Sequence, residues 1–205
     1  MNSITIKDTY KTIAASVTEI LFKEKNSKFI GYAFPILHEE EVKTHIETLK
    51  KEHFSARHWC YAYQIGTEQL KFRVNDDGEP NNSAGMPIYG QIQSFEVTNT
   101  LVVVVRYFGG VKLGVGGLIS AYKTCAQLTL AAAEIVEKTI DQHFILTFEY
   151  KNMNKVMRII KEKNLTIVNQ KMDLNCQIEI ATRKKNTEEI HTIFTNTFEV
   201  HLDVL

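Results

Sequence analysis

Leu101 to Val105 is an unbroken apolar run, one leucine and four valines, that gives way within a few residues to Gly109 and Gly110. As a strand it has no polar face. It therefore needs cover on both sides and belongs at the centre of a sheet between two layers. After it comes Arg106-Tyr107-Phe108-Gly109-Gly110-Val111-Lys112-Leu113-Gly114-Val115-Gly116-Gly117-Leu118. Leu118, Tyr122, Cys125, Leu128, Ala132 and Ile135 then recur every three or four residues, which predicts a helix with those side chains on its buried face. The unit is thus a strand, a glycine loop over 109–117 and a helix. Upstream lies Asp76-Asp77-Gly78-Glu79-Pro80, whose Asp-Gly step predicts a tight turn. Glycine weakens regular structure, so such a cluster marks positive φ or a close approach of backbone to something else. The stretch from 76 to 122 is where a site is expected.

The chain around this stretch is 205 residues long, with room for one large domain or two small ones. Its 44% hydrophobic and 23% charged content fits a soluble globular protein. No apolar run approaches the ~20 residues of a membrane span. Met1 to Asp8 lacks the basic-then-apolar order of a secretory signal, so a cytoplasmic location is expected. Cys60, Cys125 and Cys176 are odd in number and far apart, which argues against disulfides or a Cys-x-x-Cys site and for buried thiols. The net charge is zero, with 24 basic and 24 acidic residues. A contact with nucleic acid would need a local patch rather than a general basic excess.

Ser16–Phe22 and Phe29–Phe34 read as strands, ending at Pro35. Val42, Ile46, Leu49 and His53 share one helical face. His53 there reads as a satisfied core or boundary histidine. In Ala56–Ile65, alternation puts His58, Cys60 and Ala62 on one face and Trp59, Tyr61 and Tyr63 on the other. Leu70–Val74 pairs with it. A helix follows, with Asn82 or Ser83 as its cap and Pro87 in its first turn. Beyond Lys138 the pattern changes. A strand at 143–150, a helix with Met153, Val156, Met157 and Ile160, and two strands at 165–168 and 176–182 come in turn. Asn186 and Glu189 have capping-box spacing before a helix with Ile190, Ile193 and Phe194. Phe198, Val200, Leu202 and Val204 form a last alternating strand. This β-α-β-β-α-β order is the ferredoxin-like arrangement. The expected class is α+β in two domains, 1–137 and 138–205.

Four chemistries suit the central stretch. An anion site would use Arg106, Lys112 and the free N–H groups of a helix starting near Gly116 or Gly117, with Gly109, Gly110 and Gly114 letting an oxygen approach the backbone. Neither nucleotide fingerprint is met: no Gly-Lys-Ser/Thr ends the loop, and Ile119 stands where the dinucleotide pattern needs a third glycine. Asp76, Asp77 and Glu79 could hold a divalent cation, but a solvated turn is the commoner use of such residues, so no metal is expected. His58, Cys60 and Ser83 could support nucleophilic catalysis, yet no Gly-x-Ser-x-Gly elbow is present. Trp59, Tyr61, Tyr63, Tyr89, Tyr107 and Phe108 with Arg57, Arg73 and Arg106 could stack on bases, although strand aromatics more often pack a core.

The motifs Asp76-Asp77-Gly78-Glu79-Pro80, Ala84-Gly85-x-Pro87-Ile88, Arg106-Tyr107-Phe108-Gly109-Gly110-x-Lys112-Leu113-Gly114-x-Gly116-Gly117-Leu118 and Ala121-Tyr122 resemble those of the YigZ/IMPACT family. Lys28-Phe29-Ile30 and His58-x-Cys60-x-Ala62 also match. The resemblance implies a ribosomal-protein-like α/β sandwich, shared with elongation factor G and galactokinase-type kinases, followed by a ferredoxin-like domain. By analogy of fold it suggests contact with RNA or the ribosome, and the expected function is a non-catalytic binding protein of translation or stress regulation, with RNA, the ribosome or a translation factor as partner and no cofactor. The alternative it leaves is a protein or enzyme that binds a small phosphate-bearing molecule on the loop at 109–117. Met86 and Ser120 stand where the family often has arginine, which removes positive charge near the loop.

Overall fold

The computed structural model describes residues 7–205. They form mixed α/β structure in two compact units, one spanning Tyr10–Lys138 and one made of Thr139–Leu205 with residues 7–9. Asp8 belongs with the second unit: its carbonyl accepts from Ile140 N–H at 2.8 Å and its carboxylate pairs with Arg183 at 2.5 Å.

The first unit is built on a five-stranded sheet of order β2-β3-β6-β4-β5. Its strands are β2 (Val17–Glu24), β3 (Ser27–Pro35), β4 (His58–Ile65), β5 (Lys71–Asn75) and β6 (Thr100–Tyr107), each antiparallel to its neighbours. The apolar run lies in β6, at the centre as its composition requires. Val102 and Val104 face α2 (Gly85–Ser94) and α3 (Gly114–Ala131) in one core, with Cys60, Ala62, Ile88, Tyr122 and Cys125. Leu101, Val103 and Val105 face α1 (Glu39–Glu52) in another, with Tyr32, Val42, Leu49 and Tyr63. Alternation along β4 places its two side-chain sets on these two faces as expected. His53 accepts or donates between Tyr32 Oη at 2.6 Å and Tyr107 Oη at 2.8 Å, a satisfied histidine at the end of α1.

One pairing falls outside the sequence expectations, and two expectations about α3 are corrected. β1 (Thr9–Ile13) pairs with β7 (Ile135–Thr139), a ladder between distant segments that local pattern does not announce. The helix α3 ends at Ala131, so Ile135 leaves its face, and Leu128 points outward at 43% exposure. The buried face is instead Leu118, Ala121, Tyr122, Cys125, Ala126, Thr129 and Leu130. Finally, α3 begins at Gly114, not near Gly116 or Gly117, so three of the loop glycines lie in its first turn.

The second unit runs β8 (Asp141–Glu149), α4 (Met153–Glu162), β9 (Thr166–Lys171), β10 (Asn175–Arg183), α5 (Thr187–Thr195) and β11 (Val200–Val204). Its antiparallel sheet has the order β11-β8-β10-β9. Phe144, Leu146, Phe148, Val156, Ile160, Ile178 and Phe194 fill its core. Tyr150 and Phe198, expected on strand faces, sit in connecting turns at 67% and 76% exposure. Asn186 takes the N-cap position of α5 without a side-chain bond, and Glu189 pairs with Lys163 instead. No helix among the described residues is long and apolar enough to cross a membrane.

Candidate functional site

The site grows from the register of three strands. Arg106 on β6 stands opposite Phe29 on β3 and His58 on β4. All three therefore share the face covered by α2 and α3. Arg106 is only 5% exposed, and a guanidinium so buried needs an anion beside it. Glu79 supplies it: Arg106 Nη1 meets Glu79 Oε1 at 2.5 Å, and the Glu79 side chain is itself 5% exposed. Tyr122, on the inner face of α3, donates its hydroxyl to the same oxygen at 2.8 Å. The His58 Nε2 atom lies 4.0 Å from it, and His58 Nδ1–H donates to the Asp77 carbonyl at 2.8 Å. Rings of Phe29 and Phe108 stand 5.5 and 5.7 Å from the guanidinium carbon.

The acidic turn is therefore structural in its bonding. Asp76 Oδ1 accepts the N–H groups of Ala84 and Gly85 at 2.9 and 2.8 Å, and Oδ2 accepts that of Asn82 at 2.9 Å. A carboxylate eight residues upstream thus satisfies the start of α2, where Asn82 or Ser83 was expected to do so. Ser83 is fully buried and donates to the Pro80 carbonyl at 2.6 Å, which takes it out of any surface role. Asp77 Oδ2 accepts Trp59 N–H at 2.7 Å. Asp77 and Gly78 reach this turn with φ of 42° and 86°. Among the described residues no three His, Cys, Asp or Glu side chains group as a metal site.

Cys60 sits beneath the turn with Sγ 3.0 Å from the Asp76 carbonyl and 3.3 Å from Tyr122 Oη. Burial pushes its thiol far above the ordinary range, and the carboxylates of Glu79, Asp77 and Asp76 add to the rise. A thiol held protonated is a poor nucleophile, so sharing a strand face with His58 does not make Cys60 reactive.

The glycine loop behaves differently. Gly109 is a packing glycine: a Cβ there would lie 2.1 Å from the carbonyl carbon of Asn26, at the β2–β3 turn. Gly110, Gly114 and Gly116 face open space, and Gly117 lies against Leu113. Leu113 occupies the N-cap position of α3 and gives no side-chain bond. The first-turn N–H groups of any helix lack intrahelical acceptors, and among the described residues no side chain is bonded to those of α3. Lys112 is exposed, as are Phe108 at 42%, Val111 at 45%, Val115 at 52% and Ile119 at 40%. Beneath them lies a pocket of about 330 Å³ lined by Glu79, Pro80, Arg106, Phe108, Lys112, Leu113, Gly114, Val115 and Leu118.

This geometry brings Glu79, Arg106, Lys112 and Gly114 to one place, with His58 behind them. It sets Asp76, Asp77 and Ser83 apart as supports. Beyond their places in the family motifs, Phe108 counted in the sequence as an aromatic and Tyr122 as helix core, and neither was named as a site residue. A physical signal for Tyr122 was a hydroxyl on an otherwise apolar face. The remaining aromatics divide. Trp59, Tyr61 and Tyr63 line a groove of about 350 Å³ beside α1 on the opposite sheet face, where Lys50 already lies 5.3 Å over the Trp59 ring.

Residues 25–130 match the profile of the Impact N-terminal domain, a span that contains the whole of this site. The chain belongs to the IMPACT family. The IMPACT family member YvyE of Bacillus subtilis is 32% identical over 163 residues, 80% of this chain and 75% of that protein. The IMPACT family member YigZ of Escherichia coli is 32% identical over 161 residues, 77% of this chain and 78% of that one. A solved structure described as a hypothetical protein covers 97% of this chain and 98% of its own at 28% identity, with a TM-score of 0.73. The IMPACT match ends at residue 130, while both relatives and that structure extend beyond it.

Proposed function

We propose that this IMPACT family protein is a non-catalytic binding protein of the translation apparatus, and that it meets its partner with the surface at 108–119. The first unit is read as the ribosomal-protein-like α/β sandwich. The second is read as ferredoxin-like, a reading supported by its β11-β8-β10-β9 order with two helices on the strand connections. The observation that carries the function is a division of labour. The charged side chains of the acidic turn and Arg106 are bonded inward. What remains to face a partner is the uncapped start of α3, Lys112, and the exposed apolar side chains of Val111, Val115 and Ile119. Backbone N–H groups and a lysine suit phosphate oxygens, and apolar side chains beside them suit a partner of fixed shape. With zero net charge the protein gains little from general attraction to RNA, so binding is expected to be local and saturable.

The test is cosedimentation with ribosomes and separated subunits over a salt series. Arg106→Ala is a poor probe because it strands Glu79. Lys112→Ala combined with Val115→Ser leaves the core untouched. Saturable binding, lost or much weakened in the double variant, supports the reading, and Lys112→Ala alone lowers the salt slope by about one. Absence of binding at low salt, or equal binding by the double variant, overturns it.

A further inference from the structure

We propose that the pocket at the start of α3 is a receptor for a carboxylate carried on an apolar body. This concerns what fits beneath the partner-facing surface, and it stands whether or not the ribosome is the partner.

Two independent features point to an anion. The first is the helix start itself, uncapped by any side chain among the described residues and therefore a concentration of partial positive charge. The second is Arg106. This wall residue is 5% exposed, and its buried Nε–H has no acceptor among the described residues. A buried donor left unpaired is costly, and nearly all such groups in folded proteins have a partner. The half-exposed Phe108 ring stands 5.7 Å from the guanidinium carbon and lines the same pocket.

The charge count selects the kind of anion. Arg106 and Lys112 bring two positive charges to the lining and Glu79 brings one negative, which leaves a net of one. Glu79 Oε1 is already engaged by Arg106 and Tyr122, yet its charge still opposes an incoming anion. A monoanion balances the remainder, whereas a phosphate dianion overshoots it. The rest of the wall is Pro80, Phe108, Leu113, Val115 and Leu118. Those side chains suit a short apolar body and offer nothing to the sugars of a phosphodiester. The cavity of about 330 Å³ is at the small end of ligand pockets. Capture of a carboxylate by backbone N–H groups is also how peptide C-termini are recognised. Two sources share this chemistry, a free small carboxylic acid and a polypeptide ending in an apolar residue.

The test uses the full chain, 15N-labelled, with amide shifts of Gly114, Val115 and Gly116 as the readout. Four probes are titrated: N-acetyl-leucine, hexanoate, N-acetyl-leucinamide and inorganic phosphate. Both carboxylates are expected to move these amides saturably, with the neutral amide about tenfold weaker or worse. N-acetyl-leucine binding tighter than hexanoate assigns the polypeptide source, and the reverse order assigns the free acid. Val115→Asp places a carboxylate at the helix start, which favours folding and blocks the site, so carboxylate binding should vanish with the circular dichroism unchanged. Lys112→Ala should weaken binding about threefold. Equal binding of acid and amide, tighter binding of phosphate than of either carboxylate, undiminished binding in Val115→Asp, or no shift with any probe would each overturn the proposal. Ribosome binding without carboxylate shifts sinks this inference alone; carboxylate shifts without ribosome binding sink the proposed function alone.

Discussion

The turn at 76–80 and the loop at 109–117 have the same grammar. Each follows a strand of the one sheet, and each leads to a helix on the same sheet face. They differ in where their polar groups go. The turn sends three carboxylates inward: Asp76 to the start of α2, Asp77 to the β4 backbone and Glu79 to Arg106 and Tyr122. The loop contributes no carboxylate, and the start of α3 is left open beneath exposed Val111, Lys112 and Val115. One carboxylate at the right distance decides whether a helix start is a closed joint or a binding edge. On this comparison the acidic motif serves stability and the glycine motif serves contact.

The largest expected effect is of alkaline pH on the two buried thiols of the core under α2 and α3. Burial raises the Cys125 thiol from 9.0 to about 12 and lifts the Cys60 thiol as well. A raised folded pKa means stability that is complete below the unfolded value and lost as pH climbs through the folded one. Stability should therefore hold to about pH 9 and fall by several kcal/mol towards pH 12. Urea midpoints across that range, with native-state alkylation of both thiols, check it. Rapid labelling of Cys60 at pH 8 would break the comparison, because the turn would then be an open site.

Glu79→Ala comes next. It leaves the Arg106 guanidinium buried without its partner, which costs about 3–5 kcal/mol. Urea denaturation gives the value, and a loss below about 1 kcal/mol would mean that Arg106 turns freely to another anion. Asp76→Ala should cost less, about 2 kcal/mol, since it strands N–H groups rather than a charge. The loop holds a matched internal pair. Gly109→Ala drives a Cβ into the Asn26 backbone, so a loss of about 2–3 kcal/mol is expected. Gly110→Ala meets no neighbour and only strains a φ of 85°, for about 1 kcal/mol. Equal losses at the two positions would erase the distinction between a packed and an open end of the loop.

Much of the fold was readable because its evidence is local. The apolar run at 101–105, the alternation of Trp59, Cys60, Tyr61 and Ala62, and the strand and helix order after Lys138 each need only a short window. The β1–β7 pairing joins segments more than a hundred residues apart, and no window contains both. The end of α3 was overrun because Ala131, Ala132 and Ala133 are good helix formers, yet Ala133 N–H turns to the Leu130 carbonyl and closes the helix. For the site, the residue types were legible and their directions were not. Asp76 reaches Ala84 along eight residues of chain, Glu79 reaches Arg106 across 27 and Tyr122 across 43. Such partners follow from tertiary register, so the carboxylates and Arg106 all looked equally free to bind.

The smallest effect is the sharpest test of the comparison. If the open end of the loop serves contact and carries no structural load, Lys112→Ala should change stability by less than about 0.5 kcal/mol, as exposed substitutions away from caps and cores do. Val115→Asp should raise stability by about 0.3–1 kcal/mol, because a carboxylate in the first turn meets the free N–H groups of α3. That sign is the opposite of every substitution at the turn. Paired urea titrations at low and high salt separate the two contributions, since a helix-end charge effect shrinks with ionic strength. A destabilised Val115→Asp would mean that the start of α3 is already satisfied within the folded chain, and the binding edge would then have to lie elsewhere.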